Sequence, residues 1–221
     1  MQTTNRLPRI SGFAGILGPI AFVTVFLVLG QITPGYSAIT DVISNLELGQ
    51  IGWVQQLNFL QMGTLIIVFA IGFRRVMAGV AQRRLRLATA LLILSGLGMV
   101  DAAFFTPAYP VEHVLGGFLL FMIPLLIAMF LIAREFLRAK FRNLGLYSLA
   151  NGVLVLLLLL YFLFGLGLSA PPGGSPVGVT GVVNRAFVVL ALSWFCIIGT
   201  RLIRNKILAR PEAISVSDVQ N

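Results

Sequence analysis

The sequence has few of the side chains that carry out chemistry in water. It contains one cysteine, Cys196, one histidine, His113, and seven acidic residues among 221. One cysteine leaves no intrachain disulfide and no thiol-rich metal site. One histidine and one distant cysteine cannot supply the usual three protein ligands of catalytic zinc, so only a carboxylate-rich site would remain. The sequence therefore predicts no metal and no cofactor.

Charged residues are also scarce, whereas hydrophobic residues are abundant. They make up 10% and 58% of the chain, and the mean hydropathy is +0.97. A soluble domain of this length is far less apolar, so the composition predicts an integral membrane protein. A net charge of +9 would suggest nucleic acid for a soluble protein. In a membrane protein the basic residues mark topology instead, so we expect no nucleic-acid partner.

Six apolar stretches are long enough to cross a bilayer. A helix that rises about 1.5 Å per residue needs about 20 residues to cross a hydrocarbon core of roughly 30 Å. We therefore predict an all-α fold of six transmembrane helices, and no repeat relates its two halves. The predicted spans are residues 10–30, 51–73, 87–105, 113–133, 144–168 and 179–203.

The basic residues sort to one side of this predicted bundle. The positive-inside rule places residues 1–9, the loops 74–86 and 134–142, and a tail at 204–221 in the cytoplasm, so both termini are predicted to lie inside. Of the sixteen Lys and Arg residues, all except Arg185 then lie on the inner side. The polar tail is expected to be disordered. The pattern predicts a multi-pass protein of the cell (plasma or inner) membrane, in contact with membrane lipids, and identifies no protein partner.

The loop between the first two spans, residues 34–49, is acidic and carries no Lys or Arg. Its apolar residues are spaced as on one face of a short helix that could end at Gly49. These residues are Ile39, Val42, Ile43 and Leu46. A helix of this kind would present Asp41 and Ser44 from its other side.

Arg185 is the one cation on the outer side of the predicted bundle. An arginine inside a span costs on the order of 2.5 to 3.5 kcal/mol at the helix centre, so it normally has a partner. We expect that partner to be Asp101 or Asp41. Eight polar residues from five segments could then line one outward-facing pocket. They are Asp41, Ser44, Gln55, Asn58, Asp101, His113, Asn184 and Arg185.

Three hypotheses about function follow from this arrangement. The favoured one is binding of a small molecule or lipid head group, with Arg185 recognising an anionic group, in a transport or accessory role. The second is an intramembrane, hydrolase-like enzyme that uses Asp101 and His113 as acid and base or Ser44 as nucleophile, although no nucleophile elbow surrounds Ser44. The third is a structural or partner-binding protein without a ligand, in which Arg185 only clamps helices together. The sequence leaves the enzymatic hypothesis open and does not favour it.

The first span carries a regular pattern of glycines. Gly12, Gly15 and Gly18 recur every three residues in the first span, which favours close packing against another helix.

The loop 34–49 resembles a bacterial and archaeal membrane family catalogued as domain of unknown function 998. The resemblance rests on D-x-x-S-x-L at Asp41, Ser44 and Leu46, followed by Asp101, His113 and Arg185. It covers nearly the whole chain, implies a six-helix fold and brings no established activity.

Overall fold

The computed structural model describes residues 6–77, 82–139, 141–166 and 178–204. Within these ranges every regular element is a helix, and six helical stretches are long and apolar enough to cross a membrane. The predicted all-α, six-span architecture is therefore confirmed, and the chain is a multi-pass membrane protein by the length and composition of its helices. The predicted disordered tail lies outside the described residues from 205 onward.

Each span consists of one to three helical elements. The third, fourth and fifth spans cover Arg83–Phe104, Pro110–Arg138 and Arg142–Leu166. In chain order the elements are α1 (Arg6–Ile32), a 3-10 helix (Ile43–Leu48), α2 (Gly52–Val76), α3 (Gln82–Phe104), α4 (Pro110–Val114), a π-helix (Leu115–Met122), α5 (Ile123–Arg138), α6 (Arg142–Leu160), a second π-helix (Tyr161–Leu166) and α7 (Thr180–Ile203).

The spans form a closed ring in which each helix packs against the next. α1 contacts α2, α2 contacts α3, α3 contacts α5, α5 contacts α6, α6 contacts α7, and α7 returns to α1. Aromatic side chains fill the middle of the ring. The ring of Phe69 meets Phe195 at 5.1 Å and Trp194 at 6.1 Å, both edge to face, and all three side chains are fully buried. This packing leaves the middle of the bundle solid.

The glycines of α1 lie where other helices approach most closely, as the sequence pattern predicts. A Cβ at Gly12 would lie 2.7 Å from the carbonyl oxygen of Gly199 in α7. A Cβ at Gly15 would lie 2.7 Å from the ring of Phe69 in α2. No larger residue fits at either point unless the helices move apart. The predicted close packing of this glycine face is confirmed.

The two ends of the bundle differ in charge. One end carries residues 33–51, residues 105–112 and the start of α7, and we name it the acidic end because Asp41, Glu47 and Glu112 lie there. The opposite end carries the arginine clusters and is named the basic end. There the buried Glu135 pairs with Arg84 at 3.5 Å and Arg138 at 4.0 Å.

Candidate functional site

The 3-10 helix Ile43–Leu48 lies at the acidic end and buries Ile43 and Leu46. It is shorter than the expected helix, and Ile39, expected on its apolar face, is 58% exposed. The reason lies in Asp41. Its carboxylate accepts hydrogen bonds from the Ser37 backbone N–H at 2.7 Å and from Asn45 Nδ2 at 3.3 Å. Such local bonds between an Asp side chain and the backbone compete with helix formation, so residues 37–41 form turns.

Arg185 ties the start of α7 to this loop. Its Nη1 lies 2.9 Å from the carbonyl oxygen of Ala38, 2.8 Å from that of Asp41 and 2.9 Å from that of Gly181. Its Nη2 donates to the Tyr36 hydroxyl. The guanidinium thus fixes the loop to α7 through charge-assisted hydrogen bonds.

Aromatic rings complete the surroundings of Arg185. Its guanidinium carbon lies 5.4 Å from the ring centre of Tyr36 and 6.0 Å from that of Phe26, within the range of cation–π attraction. Burial raises the pKa of Tyr36 above its ordinary value, and the neighbouring Arg185 acts in the opposite direction. The phenol therefore stays protonated and can donate to the carbonyl oxygen of Val42, 3.2 Å away.

The expected ion pair of Arg185 is not formed. Among the described residues no salt bridge includes Arg185, so the prediction of an ion pair with Asp41 or Asp101 is wrong. The physical reason is that a guanidinium has five N–H donors, and main-chain carbonyls can satisfy them as well as a carboxylate can. The Asp41 carboxylate is occupied within its own loop.

A cavity of about 330 Å³ lies inside the ring at the acidic end, bordered by the 3-10 segment. Most of its wall is apolar and much of it is aromatic. The aromatic residues that line it are Phe22, Phe59, Phe118, Phe121, Phe162 and Phe187. Its polar lining residues are Ser44, Asn45, His113 and Asn184. It has the size and composition of small-molecule sites, which span roughly 300 to 1,000 Å³.

Both π-helices border this cavity. Gly117 and Phe118 of the first π-helix and Phe162 of the second contribute to the wall. A π-helix pairs residues five apart and is rare, and it is frequently found at functional sites. The first ends just before Pro124, whose missing N–H cannot serve a regular helical bond. The wall is therefore built from irregular helix on two sides.

Of the eight residues predicted to form one pocket, the structure brings three to the cavity wall: Ser44, His113 and Asn184. Gln55 and Asn58 are buried within the bundle instead. Asn58 Nδ2 donates to the carbonyl oxygen of Phe22 at 3.0 Å and to Gln55 Oε1 at 3.3 Å. The Asn58 amide therefore joins α2 to α1, whereas Gln55 Nε2 is buried without a hydrogen-bond partner among the described residues.

The remaining three predicted residues lie beside the cavity and do not line it. Asp41 and Arg185 hold the loop as described above. Asp101, near the end of α3, packs against the first π-helix, because a Cβ at Gly116 would lie 2.3 Å from its Oδ2. That oxygen is buried without a hydrogen-bond partner among the described residues. Ser44 and His113 share the cavity wall, and within the described chain no hydrogen bond joins them as a nucleophile and its base would be joined.

Sequence reasoning did not include Glu47 among the site residues. Its side chain is fully enclosed, both carboxyl oxygens lack a hydrogen-bond partner within the described residues, and Oε2 lies 3.8 Å from His113 Nδ1. Burial raises the pKa of Glu47 to about 8, so the group is mostly neutral at pH 7. The signal was available in the sequence, since Glu47 is an acid between two leucines next to the buried Leu46.

Tyr36 was also missed, and nothing in the sequence singles it out from the other tyrosines.

The described ranges contain no group of three His, Cys, Asp or Glu residues that could hold a metal ion. The acidic end combines an apolar cavity, a few polar wall groups and a loop that Arg185 fixes to α7.

Comparison with known proteins identifies a family. No curated protein and no solved structure matches the chain significantly. The family profile described as "Protein of unknown function (DUF998)" matches residues 16–201, from within α1 almost to the end of α7, and this range includes every residue of the cavity wall. The match confirms the resemblance seen in the loop 34–49 and in Asp101, His113 and Arg185. The chain belongs to the DUF998 family of membrane proteins of unknown function.

Proposed function

We propose that this protein binds an amphiphilic small molecule of the bilayer in the cavity at the acidic end. The observation that carries the proposal is the cavity itself, which joins an aromatic wall to four polar residues at the level of the 3-10 segment. Transfer of the apolar part of a ligand from lipid or water into the cavity is favourable only where the wall fits it closely. Aromatic rings give such contact. The polar residues would orient its head.

Two further features support a binding role. Within the described spans, π-helical backbone occurs only in the two segments that border the cavity. Irregular backbone of this kind is frequent at functional sites. The fully buried aromatic core below the cavity leaves no room for a continuous polar path towards the basic end, and ion conduction needs such a path. Binding within this cavity therefore explains the arrangement better than a pore.

An anionic head group bound by Arg185, the ligand first expected, has less support. Arg185 does not line the cavity, and its donors already face three carbonyls and a phenol. We propose that Arg185 positions the loop that borders the ligand. The charge distribution supports a location in the cell membrane with the acidic end outside.

Photo-crosslinking in lipid nanodiscs tests the proposal. The probe is a long-chain alcohol that carries an alkyl diazirine, and labelled peptides are mapped by mass spectrometry. We expect labelling of the cavity wall, including the first π-helix Leu115–Met122. Gly117→Leu should reduce it several-fold, because a Cβ at Gly117 meets nothing within 4 Å and the added side chain would fill the cavity.

The matched control is Ala150→Leu, which adds a similar volume to an exposed position on α6. This variant should label like the original protein. If the probe labels only exposed faces of the spans, and Gly117→Leu leaves the pattern unchanged, the binding proposal is wrong.

A further inference from the structure

The hydrogen bonds around the cavity restrict what its ligand can carry at the polar end. We infer that the cavity recognises an uncharged head with a hydroxyl group, which donates to His113 Nε2 and accepts from Asn184 Nδ2. This inference rests on the proposed binding function and names the class of ligand. It follows from three local observations.

The first observation concerns His113. Its Nδ1 lies 2.6 Å from the carbonyl oxygen of Phe105, and a carbonyl can only accept, so Nδ1 carries the hydrogen. In the neutral ring Nε2 is then an acceptor. His113 lines the cavity, and Nε2 is the ring nitrogen that this bond leaves available to a ligand.

The second observation concerns Asn184. Its Oδ1 accepts from the backbone N–H of Ile43 at 2.9 Å, which fixes the orientation of the amide. Asn184 lines the cavity, and its Nδ2 remains as a donor. Ser44, also on the wall, can donate or accept. A hydroxyl group is the smallest head that can satisfy an acceptor and a donor at the same time.

The third observation concerns charge. Among the residues that the structure describes, no Lys, Arg, Asp or Glu side chain lines the cavity. Two carboxyl groups lie close to His113, Glu47 at 3.8 Å and Asp101 against Gly116 at the next turn of the fourth span. An anionic head would meet these acids without a lining cation, and a cationic head would find no carboxylate on the wall. Both charged heads would lose hydration without a partner.

The experiment compares diazirine probes that share one alkyl chain and differ only in the head: an alcohol, a carboxylic acid and a primary amine. Labelling of the cavity wall is measured in phosphatidylcholine nanodiscs at pH 7. We expect the alcohol to label it about tenfold more than the acid or the amine, as is typical when a mismatched head leaves a buried polar group unpaired.

Variants at His113 test the assigned acceptor. His113→Asn keeps an N–H near the position of Nδ1, and so the bond to Phe105, but removes the acceptor at Nε2. It should abolish the preference for the alcohol while cavity labelling by the alkyl chain persists. His113→Gln places an amide near the position of Nε2 and should retain part of the preference. Asn184→Leu should lose it, whereas Asn143→Leu, at an exposed amide of α6, should not.

The outcomes separate this inference from the proposal on which it rests. Equal labelling of the cavity by all three probes, a preference for the acid or amine, or an unchanged preference in His113→Asn would overturn the hydroxyl assignment and leave cavity binding intact. If no probe labels the wall and Gly117→Leu has no effect, the binding function itself is wrong. Thermal unfolding of each variant shows whether a lost signal reflects loss of the fold.

Discussion

Glu47 is an ionisable residue in an environment very different from water. Its carboxyl group is enclosed and unpartnered, and its pKa rises from 4.5 to about 8. The unfolded chain releases this proton near its ordinary pKa while the folded protein keeps it. The folded state therefore binds more protons between about pH 4.5 and pH 8, and stability falls as the pH rises through this window.

We expect Glu47→Gln to remove much of this pH dependence. A neutral amide fills the same space and does not ionise, so the variant should gain stability relative to the original protein as the pH rises from 5 to 8. At roughly 1.4 kcal/mol per pKa unit the difference should reach a few kcal/mol at the alkaline end. The measurement is the unfolding midpoint in detergent as a function of pH.

Glu112→Gln is the matched control, because Glu112 lies at the same end of the bundle and is exposed. It should unfold with the pH dependence of the original protein. Parallel pH profiles for Glu47→Gln and the original protein would show that Glu47 ionises normally in the folded state.

The site residues show what a sequence can reveal at this scale. The sequence predicted that Arg185 is held at the acidic end, because an unpaired guanidinium is costly in a membrane span. It could not predict the partners, since these are main-chain carbonyls of Ala38, Asp41 and Gly181, which every residue possesses. Loop conformation, not residue type, decides which carbonyls converge.

Among the elements, the contact between α1 and α7 depends on the absence of a side chain at Gly12. At Gly12 a Cβ would lie 2.5 Å from Ile203 Cγ1 and 2.7 Å from the carbonyl oxygen of Gly199. We expect Gly12→Ala to force these helices apart and to cost about 1 to 3 kcal/mol, the usual range for overpacking. Unfolding by sodium dodecyl sulfate, followed by circular dichroism, measures this loss.

Gly117→Ala is the control for Gly12→Ala, because its Cβ enters open space. It should leave the free energy of unfolding within about 0.5 kcal/mol of that of the original protein. Equal stability of the two alanine variants would contradict the close contact between α1 and α7.

Element boundaries were predictable to different degrees. The six spans follow from hydropathy because only a long apolar helix hides its backbone in lipid. The 3-10 helix begins at Ile43 and not earlier, because the Asp41 carboxylate ties the preceding turn together. The π-helices had no clear signal in the sequence, because a proline such as Pro124 does not indicate the eight residues of changed hydrogen bonding before it.

For the whole molecule, the separation of charge between the two ends predicts its orientation. We expect the acidic end outside and the basic end in the cytoplasm. Cysteines placed at Gln50 and Asn143, both exposed and at opposite ends, report this orientation in a Cys196→Ala background. A membrane-impermeant maleimide should label Gln50→Cys on intact cells, and Asn143→Cys only after permeabilisation.

The reverse pattern would invert the predicted topology, and equal labelling of both cysteines on intact cells would contradict a single orientation.

For the whole molecule, the sequence predicted the number of spans and the separation of charge. The order of helices around the ring could not be predicted, since it depends on which small-residue faces match. The glycines of α1 indicated a close neighbour without identifying α7 as that neighbour.

The closure of the ring by α1 and α7 bears on how the protein is made. Synthesis proceeds from the first helix to the last, so the face of α1 that carries Gly12 and Gly15 has no α7 to cover it until the final span leaves the ribosome. Biogenesis must therefore keep five helices together as an open arc, and the pocket at the acidic end acquires its last wall only when the sixth arrives.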